Sequence, residues 1–321
     1  MARKYLDFEK PIEQLDLRIE ELKLASPDWA VLYADEIRRI ERKTDDLIKN
    51  IYANLTPWQI TQTARHPGRP YTLDYIQRVF DEFVELHGDR LYKDDPAIVG
   101  GLGRIDNTPV VFIGHQKGRN TKERVFRNYG MPHPEGYRKA FRLMELAERF
   151  KRPVVTFIDT PGAAPDIEAE ERGQAEAIAR NLLTMARLKV PIVSVVIGEG
   201  GSGGALAIAV ADRILMLEYS TYSVISPEGC AAILWKDGTK APLAAKALKM
   251  SSKELLGKGL VDGIVKEPLG GAHRDFDAAA RTLREAILNA LNDLSNISSD
   301  KIVSLRYGKF RKMGVFRERS S

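Results

Sequence analysis

Residues 192–205 read IVSVVIGEGGSGGA. Ile192 to Ile197 form a short apolar run rich in β-branched residues, the composition of a fully buried strand. Gly198, Glu199, Gly200, Gly201, Ser202, Gly203 and Gly204 follow, and the apolar pattern Ala205 to Val210 then predicts a helix. A buried strand therefore delivers a glycine-dense turn, and the turn opens a helix. Glycine lets the main chain take positive φ and lets a ligand approach it closely. The first amides of a helix have no intrahelical acceptor and carry the positive end of the dipole. Such donors suit an oxyanion or a phosphate. A Walker loop is excluded, because Gly203-Gly204-Ala205 stands where Gly-Lys-Ser/Thr is needed. A dinucleotide fingerprint can be forced onto Gly198, Gly200 and Gly203, but no acidic ribose partner closes the next strand. An oxyanion hole fits better. The alternative is that the glycines serve only helix–strand packing.

The 321 residues suffice for one large or two ordinary domains. No apolar run nears the ~20 residues of a bilayer span. The opening MARKYLDFEKPIEQ shows no hydrophobic signal segment, so a cytoplasmic protein is expected. One cysteine, Cys230, allows neither an internal disulfide nor a zinc site, and no metal is expected on this chain. The net charge of +5 is uneven. Lys301, Arg306, Lys309, Arg311, Lys312, Arg317 and Arg319 face one acid, Glu318, in residues 301–321, so the rest of the chain carries −1. This tail is expected to be solvated, with contact to nucleic acid or an acidic partner left open.

Outward from the glycine turn, residues 10–24 and 37–51 carry helical stripes, Ile12-Leu15-Ile19-Leu22 and Ile37-Ile40-Leu47-Ile51. They predict a helical hairpin arm over 1–55. Three prolines place 56–71 in a connecting loop, with His66 at its surface. Thr72 is expected to start a helix reaching Leu86. Strands 97–104 and 109–115 flank Asp106-Asn107 as a hairpin. The basic segment 115–139 contains no strand pattern and would grip a large anionic ligand. A helix is expected over 136–150, a strand over 153–158, a long helix over 168–188, and strands at 213–217, 222–225 and 261–265. Ser226 should cap a helix, and further helices are expected at 243–248, 253–256 and 276–294. Strand–helix alternation means a mainly parallel sheet. Strand pairs per helix favour a spiral of β-β-α units over a doubly wound sheet. The turns Thr160-Pro161-Gly162-Ala163 and Gly198 to Ala205 should both emerge at the carboxyl edge and share one oxyanion. Ser202 lies in a GGSGG match to the serine-hydrolase elbow, but His273 is the only downstream histidine.

The runs 156–181 (TFIDTPGAAPDIEAEERGQAEAIARN), 196–237 and EPLGGAHR (267–274), with GHQKGR and GMPHPEGYRKA earlier, closely resemble the α subunit of bacterial-type acetyl-CoA carboxylase carboxyltransferase. The resemblance covers about residues 5–295. It implies a crotonase-like α/β superhelix over 56–296, between the arm and a basic tail at 297–321. It implies a zinc-ribbon β subunit in an α2β2 assembly, a biotin carboxyl carrier protein and a biotin carboxylase. The implied reaction moves the carboxyl group of carboxybiotin to acetyl-CoA, giving malonyl-CoA for fatty-acid synthesis, with ATP used elsewhere in the complex. Gly203, Gly204 and Ala205 match the oxyanion hole that faces biotin, and Gly162 and Ala163 match the neighbouring turn. Gly200 and Gly201 are expected beside the biotin, and Lys117, Arg119 and Lys122 near CoA phosphates. Valine at Gly204 is expected to block the ligand and spare the fold. The chain departs from the family's TPGAYPG or TKGAYPG, with Ala164 for an aromatic and Asp166 for a glycine. Asp166 would tolerate positive φ poorly, and with Glu168 would repel an anion. Two other readings stand beside this one. A stand-alone crotonase-like acyl-CoA hydratase, isomerase or hydrolase would need Glu170 or Glu171 as its carboxylate. A binding protein would act through the basic tail.

Overall fold

The structure is a computed structural model describing residues 4–315. The first three residues of the opening segment, and Arg317, Glu318 and Arg319 of the tail, lie outside the described residues. Helices α1 (Lys10–Ala25), α2 (Trp29–Leu32) and α3 (Ala34–Ala53) precede α4 (Pro57–Ala64) and α5 (Thr72–Val79). Strands β1 (Glu82–Glu85), β2 (Ile98–Ile105) and β3 (Thr108–His115) lead to α6 (Thr121–Phe126) and α7 (Pro134–Arg149). Next come β4 (Val154–Thr160), α8 (Ile167–Glu171), α9 (Gln174–Arg187), β5 (Ile192–Gly201) and α10 (Ser202–Leu206). The remainder is β6 (Arg213–Leu217), β7 (Thr221–Ser223), α11 (Pro227–Trp235), α12 (Ala241–Leu248), α13 (Ser252–Gly257), β8 (Gly263–Val265), α14 (Phe276–Ser295) and α15 (Ser299–Arg311).

The eight strands form one sheet in the order β1-β2-β3-β4-β5-β6-β8. Pairing is antiparallel through β3 and parallel beyond it. On its edge away from β4, strand β5 serves two neighbours: Val193 to Val196 pair with β6, and Glu199 to Gly201 pair with β7. That fork turns the sheet into the β-β-α superhelix of a crotonase-like fold. Side chains alternate between two cores. Val193, Val195 and Ile197 join Phe112, Phe157 and α14 on one face. Ile192 and Val196 join Ile113, Ile158 and α7 on the other. Both faces are covered, which is why β5 reads as continuously apolar.

Helices α1 and α3 pair through Ile12, Ile19, Leu22, Ile37, Ile48 and Tyr52. Thr44 is buried among them and donates its hydroxyl to the Ile40 carbonyl. The arm is pinned at its base. Buried Glu9 accepts from Tyr52 Oη (2.7 Å) and the Leu6 amide (2.8 Å), and Tyr52 meets Tyr219 edge-on at 5.2 Å.

Four expectations are corrected. The 56–71 stretch contains α4, because Thr56 caps it in a capping box with Gln59 and Pro57 fills its first position. The helix from Thr72 ends at Val79, and β1 follows on the sheet edge. The long helix at 168–188 breaks at Gly173, whose φ of +81° divides α8 from α9. The tail is docked. Ser299–Arg311 is helical, and Arg306, 1% exposed, lies in a cage made by both Asp212 oxygens (2.9 and 2.7 Å) and the carbonyls of Met185, Leu188 and Val190. Lys309 adds an ion pair to Asp262.

Removing one partner of a buried pair leaves the other charge uncompensated. Arg306→Ala is therefore expected to cost about 3–5 kcal/mol, read as a lowered urea midpoint. A loss below about 1 kcal/mol, the range of surface pairs, would show that the cage does not hold α15.

Candidate active site

Strands β4 and β5 are parallel neighbours, with Thr160 opposite Gly200 after a register shift at the strand end. Their turns therefore emerge side by side at the carboxyl edge, where open α/β sheets place ligands. The two turns are in backbone contact. A Cβ on Gly204 would stand 2.5 Å from the Ala163 nitrogen, and one on Gly201 would stand 3.0 Å from Pro161 Cα. In the first turn Thr160 Oγ1 accepts the Gly162 N–H at 3.1 Å, and the Ala164 N–H donates to Pro132 O at 3.0 Å. In the second, Gly203 and Gly204 occupy the first turn of α10, where no intrahelical acceptor exists. No acceptor takes the N–H of Ala163, Gly203 or Gly204 among the described residues. Ser202, which leads into them, has φ +51°. For a serine this is a strained conformation, held here by the strand before it and the helix after it.

A buried charge cluster stands behind the turns. Lys117 Nζ lies 2.8 Å from both Asp159 Oδ1 and Glu199 Oε1. Arg65 bridges Glu199 (2.7 Å) and Glu228 (2.6 Å). Asp159 Oδ1 also accepts the Glu199 N–H at 3.1 Å. Burial pushes the Lys117 ammonium down, but Asp159 and Glu199 outweigh it and hold it above its ordinary value. Burial pushes Glu199 up, but Lys117 and Arg65 bring its carboxyl to about 2. Burial prevails at Asp159, which is raised. Neighbouring His115 is fully buried, and burial pushes its imidazole down to about 3.

The predicted residues divide accordingly. Gly162, Ala163, Gly203, Gly204 and Ala205 come together. Gly200 lies within β5 against the Tyr222 ring, and Gly201 lies against Pro161. Lys117 is neutralised by its two carboxylates. Arg119 is engaged by Asp74 and by the Pro67 and Arg69 carbonyls, and lies over the Tyr71 ring at 4.6 Å. Lys122 is exposed on α6. A cavity of about 260 Å³ lies nearby, lined by Arg65, Tyr71, Lys117, Arg124, Tyr129 and Pro161 among others. Sequence reasoning did not single out Arg65, Arg124 or Tyr129. The latter two stand in the basic segment; Arg65 carried no signal apart from its charge.

Asp166 contradicts the expected strain. Its φ is −84°; Oδ1 caps α8 by accepting the Ala169 N–H at 2.8 Å, and Oδ2 stands 3.1 Å from His133 Nε2. Glu168 pairs with Arg172 at 3.1 Å, and Glu170 and Glu171 are exposed on α8. His66 is buried, not on the surface. Its Nδ1 accepts the Gly68 N–H (3.0 Å), its Nε2 meets the Lys4 carbonyl (3.1 Å), and its ring stacks on His273 at 4.0 Å. Burial, helped by His273, pushes it down to about 4. Glu9, His66 and His273 stand close enough to hold an ion. With both His66 nitrogens engaged by the backbone, the cluster fits a latch between arm and core better than a metal centre.

Residues 5–314 match the acetyl co-enzyme A carboxylase carboxyltransferase-like family. The acetyl-coenzyme A carboxylase carboxyl transferase subunit alpha of Thiobacillus denitrificans is 58% identical over 99% of both chains. That of Geobacter metallireducens is 60% identical over 99% of this chain and 100% of its own. The chain belongs to this α-subunit family. It is therefore a carboxyltransferase component of acetyl-CoA carboxylase, a multisubunit enzyme with acyl-CoA and biotin-linked substrates. Two solved structures share the fold at low identity. Transcarboxylase 12S has a TM-score of 0.59 at 18% identity, covering 72% of this chain and 44% of its own. A Pseudomonas malonate decarboxylase hetero-tetramer has 0.58 at 19%, covering 74% and 92%.

Backbone contact changes what substitution at Gly204 should do: it breaks packing as well as blocking the turn. Gly204→Ala is expected to lower the thermal midpoint by several degrees, about 1–3 kcal/mol of overpacking. Gly203→Ala should leave the midpoint within a degree or so, because its Cβ would meet nothing nearer than Ile178 at 3.8 Å. Equal midpoints for the two variants would refute the close approach.

Glu199 predicts acid sensitivity. Its carboxyl is lower in the folded chain than its ordinary value, so its stabilisation is present above about pH 4.5 and lost as pH falls toward 2. Raised Asp159 acts in the opposite sense. In midpoint–pH curves Glu199→Gln should be less stable than the parent at neutral pH and should lose less on acidification. Parallel curves would contradict the assignment.

Proposed function

We propose that the unpaired amides of Ala163, Gly203 and Gly204, with Gly162 and Ala205 beside them, form this subunit's half of an oxyanion site for carboxyl transfer from biotin to acetyl-CoA. The observation carrying this reading is the backbone contact between two strand-end turns whose first amides have no acceptor. Fixed N–H groups stabilise negative charge without reorganising as it develops, and one such donor contributes about 3–4 kcal/mol. The turns fit an anionic oxygen, since glycine admits close approach and the nearest carboxylates, Asp159 and Glu199, are held by Lys117.

The carboxyl donor, when bound, supplies the carbon dioxide and then the ureido base that accepts the acetyl proton. The chain's residues do the rest. Ala163, Gly203 and Gly204 present donors. Asp159 and Thr160 keep the two turns in register. Gly162 and Ala163 keep α10 from sliding. No side-chain base is required, which agrees with the exposure of Glu170 and Glu171 on α8. That exposure also weakens the stand-alone hydratase, isomerase or hydrolase reading.

The finer assignments belong to the same reading. The partner is a β subunit with a zinc ribbon in an α2β2 assembly, joined by the biotin carboxyl carrier protein and biotin carboxylase. ATP is consumed at the carboxylase step, this chain carries no metal, and the complex works in the cytoplasm. The arm packs or assembles subunits. CoA phosphates meet the basic rim near Lys122 and Arg124, since Lys117 and Arg119 are already engaged. The docked tail leaves nucleic acid without support.

Half an oxyanion site predicts half an enzyme. The purified chain should form no malonyl-CoA from carboxybiotin and acetyl-CoA, and activity should appear on adding the zinc-ribbon partner. Full turnover by the single chain, in a coupled malonyl-CoA assay, would overturn this reading.

A further inference from the structure

A second cavity, of about 310 Å³, opens beside the glycine turn. Ser202, Gly203 and Ser223 contribute its polar lining; Leu206, Tyr222, Leu260 and Phe310 are among its apolar walls. Phe310 comes from α15, beyond the resemblance on which the fold was anticipated. Its position is fixed. Lys309, one residue away, is tied to Asp262 and to the Ala211 carbonyl (3.2 Å), and Arg306, one turn earlier, is caged by Asp212. Phe310 packs on the same core as Tyr222 and Leu260. The C-terminal helix is thus anchored by buried charge and contributes one aromatic residue to a pocket that Ser202 and Gly203 of the glycine turn also line.

The pocket's size and polarity discriminate between the two reacting groups of the proposed function. An acetyl group is only a few times the ~30 Å³ share of one water and would leave most of the cavity empty. A fused bicyclic ring with a ureido head is larger and apolar along its body. Its one strongly polar end matches Ser202 and Gly203.

Resting on that reading, we propose that Phe310 is a specificity-determining residue, the wall against which the biotin ring of the carboxyl donor lies, and that the C-terminal helix is therefore part of the site. Ser202, exposed and held at φ +51°, lines the same pocket as Gly203, whose N–H has no acceptor among the described residues.

The test uses the full chain assembled with its zinc-ribbon partner, run from malonyl-CoA to free biotin, giving acetyl-CoA and carboxybiotin. Phe310→Ala should raise KM for biotin about tenfold, the loss expected for truncating one buried aromatic contact. KM for malonyl-CoA should not move, and kcat at saturating biotin should stay within about twofold, the pattern of lost uniform binding. Phe310→Trp should also raise KM for biotin, by crowding, while Phe310→Leu should restore it toward the parent. Should the alanine variant fail to assemble, the leucine and tryptophan variants decide. Unchanged biotin KM in these variants, or a shift in malonyl-CoA KM alone or in equal measure, would overturn the assignment. An inactive parent assembly would instead overturn the proposed function and this assignment with it.

Discussion

One buried carboxylate holds the site together. Asp159 closes β4 and accepts both the Lys117 ammonium, from beyond the end of β3, and the Glu199 N–H within β5. It therefore ties three successive chain segments at the edge where both turns begin. Only glycine is accommodated at 198, because a Cβ there would stand 2.7 Å from Asp159 Cγ. A carboxylate this deep is tolerable because it is paired and hydrogen-bonded. Its neighbours do not neutralise it alone. Glu199 shares Lys117 and draws in Arg65, which reaches Glu228 on α11. The cluster links α4, β5 and α11 around the glycine turn, so a shift in any of these would leave a charge unpaired.

Much of this was legible in the sequence because it is local. The apolar run of β5, the Asp106-Asn107 hairpin and the arm stripes each carry their signal within a few residues. The stripe on α3 was read too narrowly: Leu47 and Ile51 pack half-buried against the arm core, but the buried residues there are Ile48 and Tyr52, since Tyr52 is drawn toward Glu9 and Tyr219. What was not legible depends on distant partners. Strand β1 is four residues long, and the helix expected to reach Leu86 ran through it, since only pairing with the distant β2 decides it. Asp166 read as a strained substitution because its cap partner, the Ala169 N–H, exists only once α8 forms. At the site, the glycines announced close approach but not what approaches. Gly201 and Gly204 meet backbone, Gly203 meets only the Ile178 side chain at 3.8 Å, and Gly162 alone of these four has nothing within 4 Å on its Cβ side.

The tail shows why charge counts mislead. Residues 301–321 are strongly basic beside a nearly neutral body, and a solvated extension follows from composition alone. Two of those charges nevertheless find buried or half-buried acids, Asp212 and Asp262, at the ends of segments around β6. Asp212 is already committed to the sheet, since Oδ2 accepts the Ile192 N–H at 2.8 Å at the start of β5. The same carboxylate therefore sets where the central strand begins and where the last helix docks. Arg306 suits this role because its planar fork satisfies a carboxylate and three carbonyls together, which a lysine could not.

The glycine turn must meet two demands that ordinarily conflict. Its amides must stay unpaired to be useful, and an unpaired N–H inside a protein is unfavourable unless water or ligand reaches it. A helix of five residues has little stability of its own, so α10 cannot hold those amides by helical cooperativity. The sequence resolves this with backbone packing. Gly204 against Gly162 and Ala163, and Gly201 against Pro161, clamp the turn from the side of the neighbouring β4 turn, and Ser202 takes the strain where strand becomes helix. Rigidity comes from contacts that use no N–H groups, which leaves the donors of Gly203 and Gly204 available. A tighter arrangement with larger side chains would need the turns to separate, and the donors would then no longer border one oxygen.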